Sequence, residues 1–480
     1  MNHVLLATAD VHAEGVVPMS VTLVFSALLV GLILCLALEE KIHAKKSIIA
    51  GVFALIGLFL ANVFHLYEYV DHKFLIKLPP FDSVHGHTVE LPVYIPAIDW
   101  SVIALIFGAS LFIDITSKSG LFTWFAIKLT KASKGDPRRL LWFYGLMTVV
   151  FSAVLNNVTA MIIVGSLTGV SLKKLGRGNL MLGFLLIEGL LTNVGGLLTL
   201  ISSVPNIIVG NAAGISFVTF FVKSAPFVLV ATIGTIMLGA KLFGITKLHG
   251  AEEKSEAALL VGGFDENDGI ESSGFFWFGA AMLVLFIVTI ATASILPVIQ
   301  DLGMSFVALA FAAVMLVRYK STVDQFYRAI DWDLLGFFAA LFVVINVMEH
   351  ALVLDLIGVG LTRVISLNEI IGHGAGTGAI LVASAAFSSV TDNIPLAAML
   401  AKILQAQGTA STDPLWWSVV FGANLGGNLT PIGSASTLVA VTIMHKNGVA
   451  MSFVRFVKLA IPFAALQIAL ATVYVLVFLA

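Results

Sequence analysis

The sequence predicts an all-α polytopic membrane protein: two inverted repeats of about five transmembrane helices, each with a re-entrant hairpin and a broken helix. Three observations predict it. The 480 residues are 59% hydrophobic and only 11% charged, with a mean hydropathy of +1.02, whereas soluble chains carry about 25% charged residues. Apolar runs long enough to cross a bilayer recur along the chain. Three sequence motifs also return, in order, at a nearly constant separation.

The apolar runs fall at 20–38, 47–67, 100–117, 179–200, 217–243, 275–297, 304–317, 331–350, 415–443 and 456–479. Period-2 alternation with a turn every ten residues is missing, which rejects a β-barrel. Cations mark the cytoplasmic side. They cluster at Lys41/Lys45/Lys46, at Lys128, Lys131, Lys134, Arg138 and Arg139, at Lys173/Lys174/Arg177, and at Lys241/Lys247. The 68–98 loop has few cations and is placed outside. Residues 1–19 form an N-terminal tail whose short apolar run lacks the basic start of a signal peptide. The first repeat is 20–243, an acidic, Gly-rich cytoplasmic linker of solvated charge is 244–274, and the second repeat is 275–480. Both termini are expected on the outer side, and a bacterial inner membrane is the expected location.

The segment 139–172 has basic clusters at both ends and the polar pair Asn156-Asn157 between two short apolar arms. Two basic ends on one side require an even number of crossings, so it is expected to be a hairpin entering from the cytoplasm. The repeat matches Ile98-Asp99-Trp100 to Ile330-Asp331-Trp332. It matches FSAVLNN at 151–157 to FSSVTDN at 387–393, and Asn193-Val-Gly-Gly to Asn424-Leu-Gly-Gly. The offsets are 232, 236 and 231 residues. A repeat of this kind means one unit used twice. Five crossings per half is odd, so the second half enters the membrane inverted and its hairpin, around 374–407, comes from outside. Inverted repeats with interrupted helices build secondary transporters, with the site near the bilayer midplane.

The candidate site residues follow from that architecture. Non-helical backbone at membrane depth must line a cavity or be buried in protein. Asn156, Asn157 and Thr159 lie at the first hairpin tip, and Asp392, Asn393 and Pro395 at the second. The helix breaks contribute Asn193, Gly195, Gly196, Thr199, Ser202, Ser203 and Asn206, and their mates Asn424, Gly426, Gly427, Thr430 and Ser434. Paired glycines let backbone approach a ligand, and Pro205 and Pro431 free upstream carbonyls. Na⁺ ligands are expected among Asp392, Asn393, Asn193, Asn424 and Thr430. Ionisable residues inside spans default to functional roles, which makes Asp392, Glu188 and Asp114 the proton-carrier candidates. Lys118 follows Asp114 by four residues and is placed to neutralise it. Asp99 and Asp331 are expected to cap their helices beside Trp100 and Trp332.

Other functions are excluded on composition. Lys+Arg 26 against Asp+Glu 28 gives no basic face for nucleic acid. A single cysteine, Cys35, rules out a disulfide or a Cys-based metal site within one chain. The sequence has no His-Glu-x-x-His, Gly-x-Ser-x-Gly or Walker motif, so neither an enzyme nor a nucleotide-driven pump is expected. No cofactor is expected beyond transported Na⁺ and H⁺. The expected partners are the lipid bilayer and a small ion substrate.

The segments IDWSVIALIFGASLF, FSAVLNNVTAMII, IEGLLTNVGGLLTLISSVPNIIV, FSSVTDNIPLAAML and GANLGGNLTPIGSASTLVA resemble the ArsB/NhaD permeases of the ion transporter superfamily. That group includes NhaD-type Na⁺/H⁺ antiporters, arsenite permeases and the melanosomal P protein. The resemblance spans roughly 98–460 and implies an elevator-type fold whose scaffold domain dimerises. Many such permeases have Leu-Asp-Asn where this chain has Leu155-Asn156-Asn157. Many also have Ile-Gly-Asp-Pro-Pro-Asn where it has Ile201-Ser202-Ser203-Val204-Pro205-Asn206. Two carboxylates are thus replaced by neutral groups, while Asp392 and Glu188 remain. The leading expectation is Na⁺/H⁺ (or Li⁺/H⁺) antiport by alternating access. The alternatives are an anion permease for citrate, a dicarboxylate or arsenite, and a non-transporting subunit of a larger membrane complex.

Overall fold

The computed structural model describes residues 17–66, 92–367, 374–391 and 393–479. The 1–16 tail, most of the 68–98 loop, His373 and Asp392 lie outside the described residues. Among those described, nine helices are long and apolar enough to cross a membrane, including Met19–Ala37, Lys46–Val63, Phe217–Leu242 and Phe453–Leu479. The tenth expected run, 415–443, is split into two shorter helices.

In chain order the principal helices are α1 Met19–Ala37, α2 Lys46–Val63, α3 Trp100–Ser117, α4 Leu121–Ala132, α5 Pro137–Val154, α6 Asn157–Lys174, α7 Met181–Gly195, α8 Val204–Ala213 and α9 Phe217–Leu242. The linker contains α10 Ala251–Gly262. There follow α11 Ser273–Thr292, α12 Ile299–Arg318, α13 Trp332–His350, α14 Val353–Ile365, α15 Ala375–Ser388, α16 Asn393–Ala406, α17 Pro414–Gly426, α18 Ala435–Lys446 and α19 Phe453–Tyr474.

Short polar residues set where these helices begin. The Asp136 Oδ1 accepts the Arg139 amide at 2.9 Å ahead of Pro137, and the Asn156 Oδ1 accepts the Thr159 amide at 2.7 Å. Asp331 caps α13 by accepting the Leu334 amide at 2.9 Å. Such caps satisfy the orphan N–H groups of a first turn. Pro205 sits in the first turn of α8, where it forfeits no intrahelical bond. It therefore opens α8.

Two compact units divide the chain. The first comprises residues 1–99 and 336–359 and the second residues 100–335 and 360–480. In the first, Phe25 meets Phe64 edge-on at 6.2 Å, and Gly57 lies against Val347. The second unit holds both hairpins, α5–α6 and α15–α16, and both interrupted helices, α7–α8 and α17–α18. The hairpin arms are 18 and 18 residues in the first half and 14 and 14 in the second.

Most of the linker's charged side chains are exposed, as its composition leads one to expect, but the segment is also folded. It carries α10, and its Leu248 amide donates to Asp136 Oδ2 at 2.9 Å. Lys128 reaches Glu266 at 2.8 Å, Lys131 pairs with the same carboxylate, and Arg177 pairs with Glu253. Lys174 lies over the Phe264 ring at 4.0 Å. Two of its acidic side chains are thus ion-paired, Glu253 with Arg177 beyond the end of the first hairpin and Glu266 with Lys128 and Lys131 of α4.

Candidate functional site

The breaks in α7–α8 and α17–α18 and the first hairpin tip meet in one buried polar cluster. The second hairpin joins it through Ser388 and Ser389. Glycine permits the approach. A Cβ on Gly426 would fall 2.3 Å from the Ala385 carbonyl oxygen, and one on Gly195 would fall 2.7 Å from Val149 Cα. Real Cβ atoms cannot come that close to backbone, so each broken helix packs on its hairpin arm only because these positions are glycine.

Hydroxyls then fasten each hairpin to its break, in the same way in both halves. Ser152 Oγ donates to the Thr192 carbonyl and Ser388 Oγ to the Ala423 carbonyl, both at 2.6 Å. Thr199 Oγ1 donates to the Ala153 carbonyl at 2.6 Å, and Thr430 Oγ1 to the Ser389 carbonyl at 2.5 Å. The members of each pair are separated by the repeat offsets seen in the sequence.

Between the halves the exchange is reciprocal. Ser203 Oγ donates to Asn424 Oδ1 at 2.7 Å, and Ser434 Oγ donates to Asn193 Oδ1 at 2.9 Å. Each half thus donates a serine hydroxyl to an asparagine of the other. Beyond it the two amides differ. Asn193 Oδ1 also accepts from Asn157 Nδ2 at 3.2 Å, and Asn193 Nδ2 donates to Asn428 Oδ1 at 2.8 Å. Asn424 Nδ2 donates to Asn206 Oδ1 at 2.9 Å, and Asn206 Nδ2 returns to the Gly196 carbonyl at 2.6 Å. Asn193, Asn206 and Asn424 are all buried. In this arrangement both carbonyl oxygens expected to hold Na⁺ already accept a hydroxyl.

The remaining predicted residues have local roles. Ser202 Oγ donates to the Gly196 carbonyl at 2.6 Å and shapes the break. Gly196 leaves room for the Asn157 amide, and Gly427 for the Gly433 carbonyl. Asn393 opens α16, with Pro395 buried two residues later. Asn156 caps α6, with Thr159 as its partner.

Glu188 lies apart from the cluster, five residues before Asn193 and about 7.5 Å along the helix axis. It is fully buried. Its Oε1 accepts the Thr168 hydroxyl at 2.6 Å, and its Oε2 has no partner. Asp114 sits in α3 and is half-buried. Its neighbour Lys118 lies over the Phe326 ring at 4.6 Å.

The network includes five residues that escaped the sequence reading: Ser152, Ser388, Asn428, Gln467 and Thr235. Asn428 Nδ2 donates to Gln467 Oε1 at 2.7 Å, and Gln467 Nε2 donates to Thr235 Oγ1 at 2.9 Å. This chain runs from the cluster to α9 and α19. A signal was present: Thr235 and Gln467 are polar positions of the two final spans, separated by 232 residues. The same offset relates Ile98 to Ile330.

Four helices, α6, α8, α16 and α18, begin where the tips and breaks occur, and none has an acidic residue in its first turn. Helix starts carry partial positive charge and exposed N–H groups. The cluster's amide and hydroxyl donors and its carbonyl oxygens already have partners, so an anion, like a cation, would enter only after some of these bonds exchange.

Comparison with known proteins places this geometry among transporters. The model of the citrate transporter family, CitMHS, matches residues 33–422. A transporter of Mycobacterium tuberculosis, itself described as uncharacterized, is 30% identical over 382 residues, covering 78% of this chain and 86% of its own. The human P protein is 24% identical over 525 residues, covering 92% of this chain and 60% of its own. The resemblance seen in the motifs thus meets one of its named members, while the matching family model is the citrate transporter one. Among solved structures, the Alcanivorax borkumensis YdaH transporter aligns with a TM-score of 0.57 at 13% identity, over 91% of this chain and 98% of that one. Neisseria gonorrhoeae MtrF, described as one of a class of antimetabolite efflux pumps, aligns at 0.54 and 12%. At such identities these two speak for the fold alone.

Proposed function

The chain belongs to the citrate transporter family, and from that premise we propose that it is a secondary transporter carrying a citrate-class carboxylate across the membrane by alternating access. One observation carries the reading: three helix starts with neutral caps, α6 at Asn156, α8 at Ser203 and α18 at Ser434, occur at a cluster of buried amides and hydroxyls. A carboxylate is stabilised by helix N-termini and neutral donors, whereas a cation is repelled by the former. The replacement of two carboxylates by Asn156 and Ser203 points the same way, since anionic side chains there would oppose an anionic solute.

The antiport reading keeps a specific support. Glu188 is a fully buried carboxyl with an unpartnered oxygen, and Asp392 adjoins the start of α16 in the sequence. A buried carboxyl such as Glu188 can exchange protons or cations as its surroundings change. In the carboxylate reading Glu188 and Asp392 become the coupling groups, taking up a proton or cation alongside the solute. The reciprocal Ser203–Asn424 and Ser434–Asn193 bonds support an inverted pair of repeats moving about a shared crossing.

Proteoliposomes containing only this protein test the proposal. Labelled citrate should accumulate under an imposed proton gradient, and unlabelled citrate should compete. No citrate uptake, with Na⁺ or Li⁺ instead discharging an acid interior, would overturn the carboxylate reading in favour of cation/proton exchange.

A further inference from the structure

One cavity in the second unit lies outside the polar cluster. Its volume is about 220 Å³, room for roughly seven waters at ~30 Å³ each. Its lining comes from the start of α3, the end of α8, the start of α9, the end of α11 and the start of α12. These are all the same ends of the helices with respect to the linker. The linker follows the far end of α9, and α9 is 26 residues long, so the cavity lies about 39 Å away along that axis. The linker also precedes the far end of α11. At that far end Phe275 of α11 meets Tyr319, just beyond α12, with ring centroids 4.2 Å apart. The cavity is therefore on the membrane face opposite the linker.

Its rim and floor differ in character. Ser101, Asn211, Ser294 and Gln300 line it and are exposed. Leu200 and Ile207, which close it on the cluster side, are 0% and 3% exposed. No side chain of formal charge lines it. The two floor residues adjoin the cluster in the chain. Leu200 follows Thr199, which is bonded to the first hairpin tip, and Ile207 follows Asn206, which is bonded to Asn424.

We propose that this cavity is the vestibule through which a small hydrated carboxylate reaches the crossing from the face opposite the linker, with Leu200 and Ile207 as the apolar plug between them. The chemistry fits the role. Neutral hydroxyls and amides hold a hydrated anion loosely, without a fixed cation that would trap it. A thin apolar floor blocks ions until the break moves, because dewetted constrictions are barriers to charge. Leu200 lies within the break itself, so any rearrangement of that break displaces the plug. The solute class rests on the carboxylate reading above; the position and sidedness of the vestibule do not.

The chain has a single cysteine, so Cys35→Ser provides a cysteine-free background. Ser216→Cys and Ser305→Cys line the cavity, and Ser255→Cys lies exposed on α10 as a reference for the opposite face. Proteoliposomes of defined orientation are exposed to a membrane-impermeant methanethiosulfonate from each side. The expected result is labelling of Ser216→Cys and Ser305→Cys only from the face opposite the one that labels Ser255→Cys. In protein that takes up citrate, labelling should lower uptake at least tenfold, and excess citrate should slow it. Failure of both cavity positions to label from that face would overturn the vestibule, as would labelling from the linker face. Full modification with unchanged citrate uptake would overturn it as well. Sided labelling in protein that moves no citrate would refute the carboxylate reading and leave the vestibule standing.

Discussion

The two halves of the second unit fasten their hairpins with the same hydrogen bonds and then part company at the amides. Ser152 and Ser388, and likewise Thr199 and Thr430, donate to equivalent backbone carbonyls within 0.1 Å of one another. Asn193 and Asn424 share only the reciprocal serine bond. After it, Asn193 turns to Asn157 and Asn428, and Asn424 to Asn206. Shared bonds build the fold in each half; divergent ones sit where a solute would be read. The halves differ at their bases too, since in the first half Arg177, just beyond the longer hairpin, pairs with Glu253 of the linker, and α4 beside it pairs with Glu266.

The largest effect should come from the glycines that the halves share. Gly426→Ala sets a methyl 2.3 Å from a backbone oxygen, where relief requires the hairpin to shift, at a cost of about 1–3 kcal/mol or more. Loss of the monodisperse peak on size-exclusion is expected. Gly195→Ala, with 2.7 Å of clearance, should be less severe but still destabilised. Normal stability in both would break the claim that hairpin and break pack through these positions.

Next in size, Glu188→Gln keeps the volume and the Thr168 hydrogen bond but cannot release a proton. Citrate uptake driven by a proton gradient should fall at least tenfold, while equilibrium exchange of labelled for unlabelled citrate should persist. Unchanged gradient-driven uptake would remove Glu188 from the coupling. The staples sharpen the comparison itself. Ser152→Ala and Ser388→Ala should each cost about 1 kcal/mol, with Ser152→Ala the larger loss in thermal unfolding because its hydroxyl also lies 2.5 Å from Asn157 Oδ1. No loss in either variant would show that these hydroxyls do not fasten the hairpins.

The smallest effect belongs to the linker. Lys128 and Lys131, by donating hydrogen bonds, hold the Glu266 carboxyl at about 2, below its ordinary 4.5. A carboxyl lowered on folding stabilises above its unfolded value and loses that contribution as pH falls through the folded one. Glu266→Gln should thus lower the melting temperature slightly at neutral pH and low salt. The difference should shrink as pH falls from about 4.5 toward 2, and in high salt at any pH. A difference that survives both would mean that the linker is held by packing.

Much of the architecture was legible because hydrophobic length is written directly in the sequence. Nine of ten expected spans are helices of spanning length, and the tenth splits at the Gly-Gly break that had been marked as its interruption. The 231–236 residue offsets located both hairpins and all the residues that staple them except Ser152 and Ser388. Those two were overlooked because a serine in a helix usually bonds its own preceding turn, and nothing local signals a carbonyl on another helix. The linker's ion pairs were not legible for a related reason. Acidic, Gly-rich composition describes solvated loops, and only the fold brings Lys128, Lys131 and Arg177 within reach. Thr235 and Gln467 were recoverable from the repeat offset, once polar residues in the final spans are compared.

The most direct test of the central claim puts a carboxylate where the carboxylate solute is proposed to bind. Asn193→Asp and, separately, Asn424→Asp would be reconstituted beside the wild type and assayed for citrate uptake and for Na⁺-driven proton release. The proposal predicts that the wild type takes up citrate and that each variant, folded and monodisperse, loses at least tenfold of that uptake, about 1.4 kcal/mol of binding. Citrate uptake undiminished by either substitution, or Na⁺/H⁺ exchange that either one enhances, would contradict it.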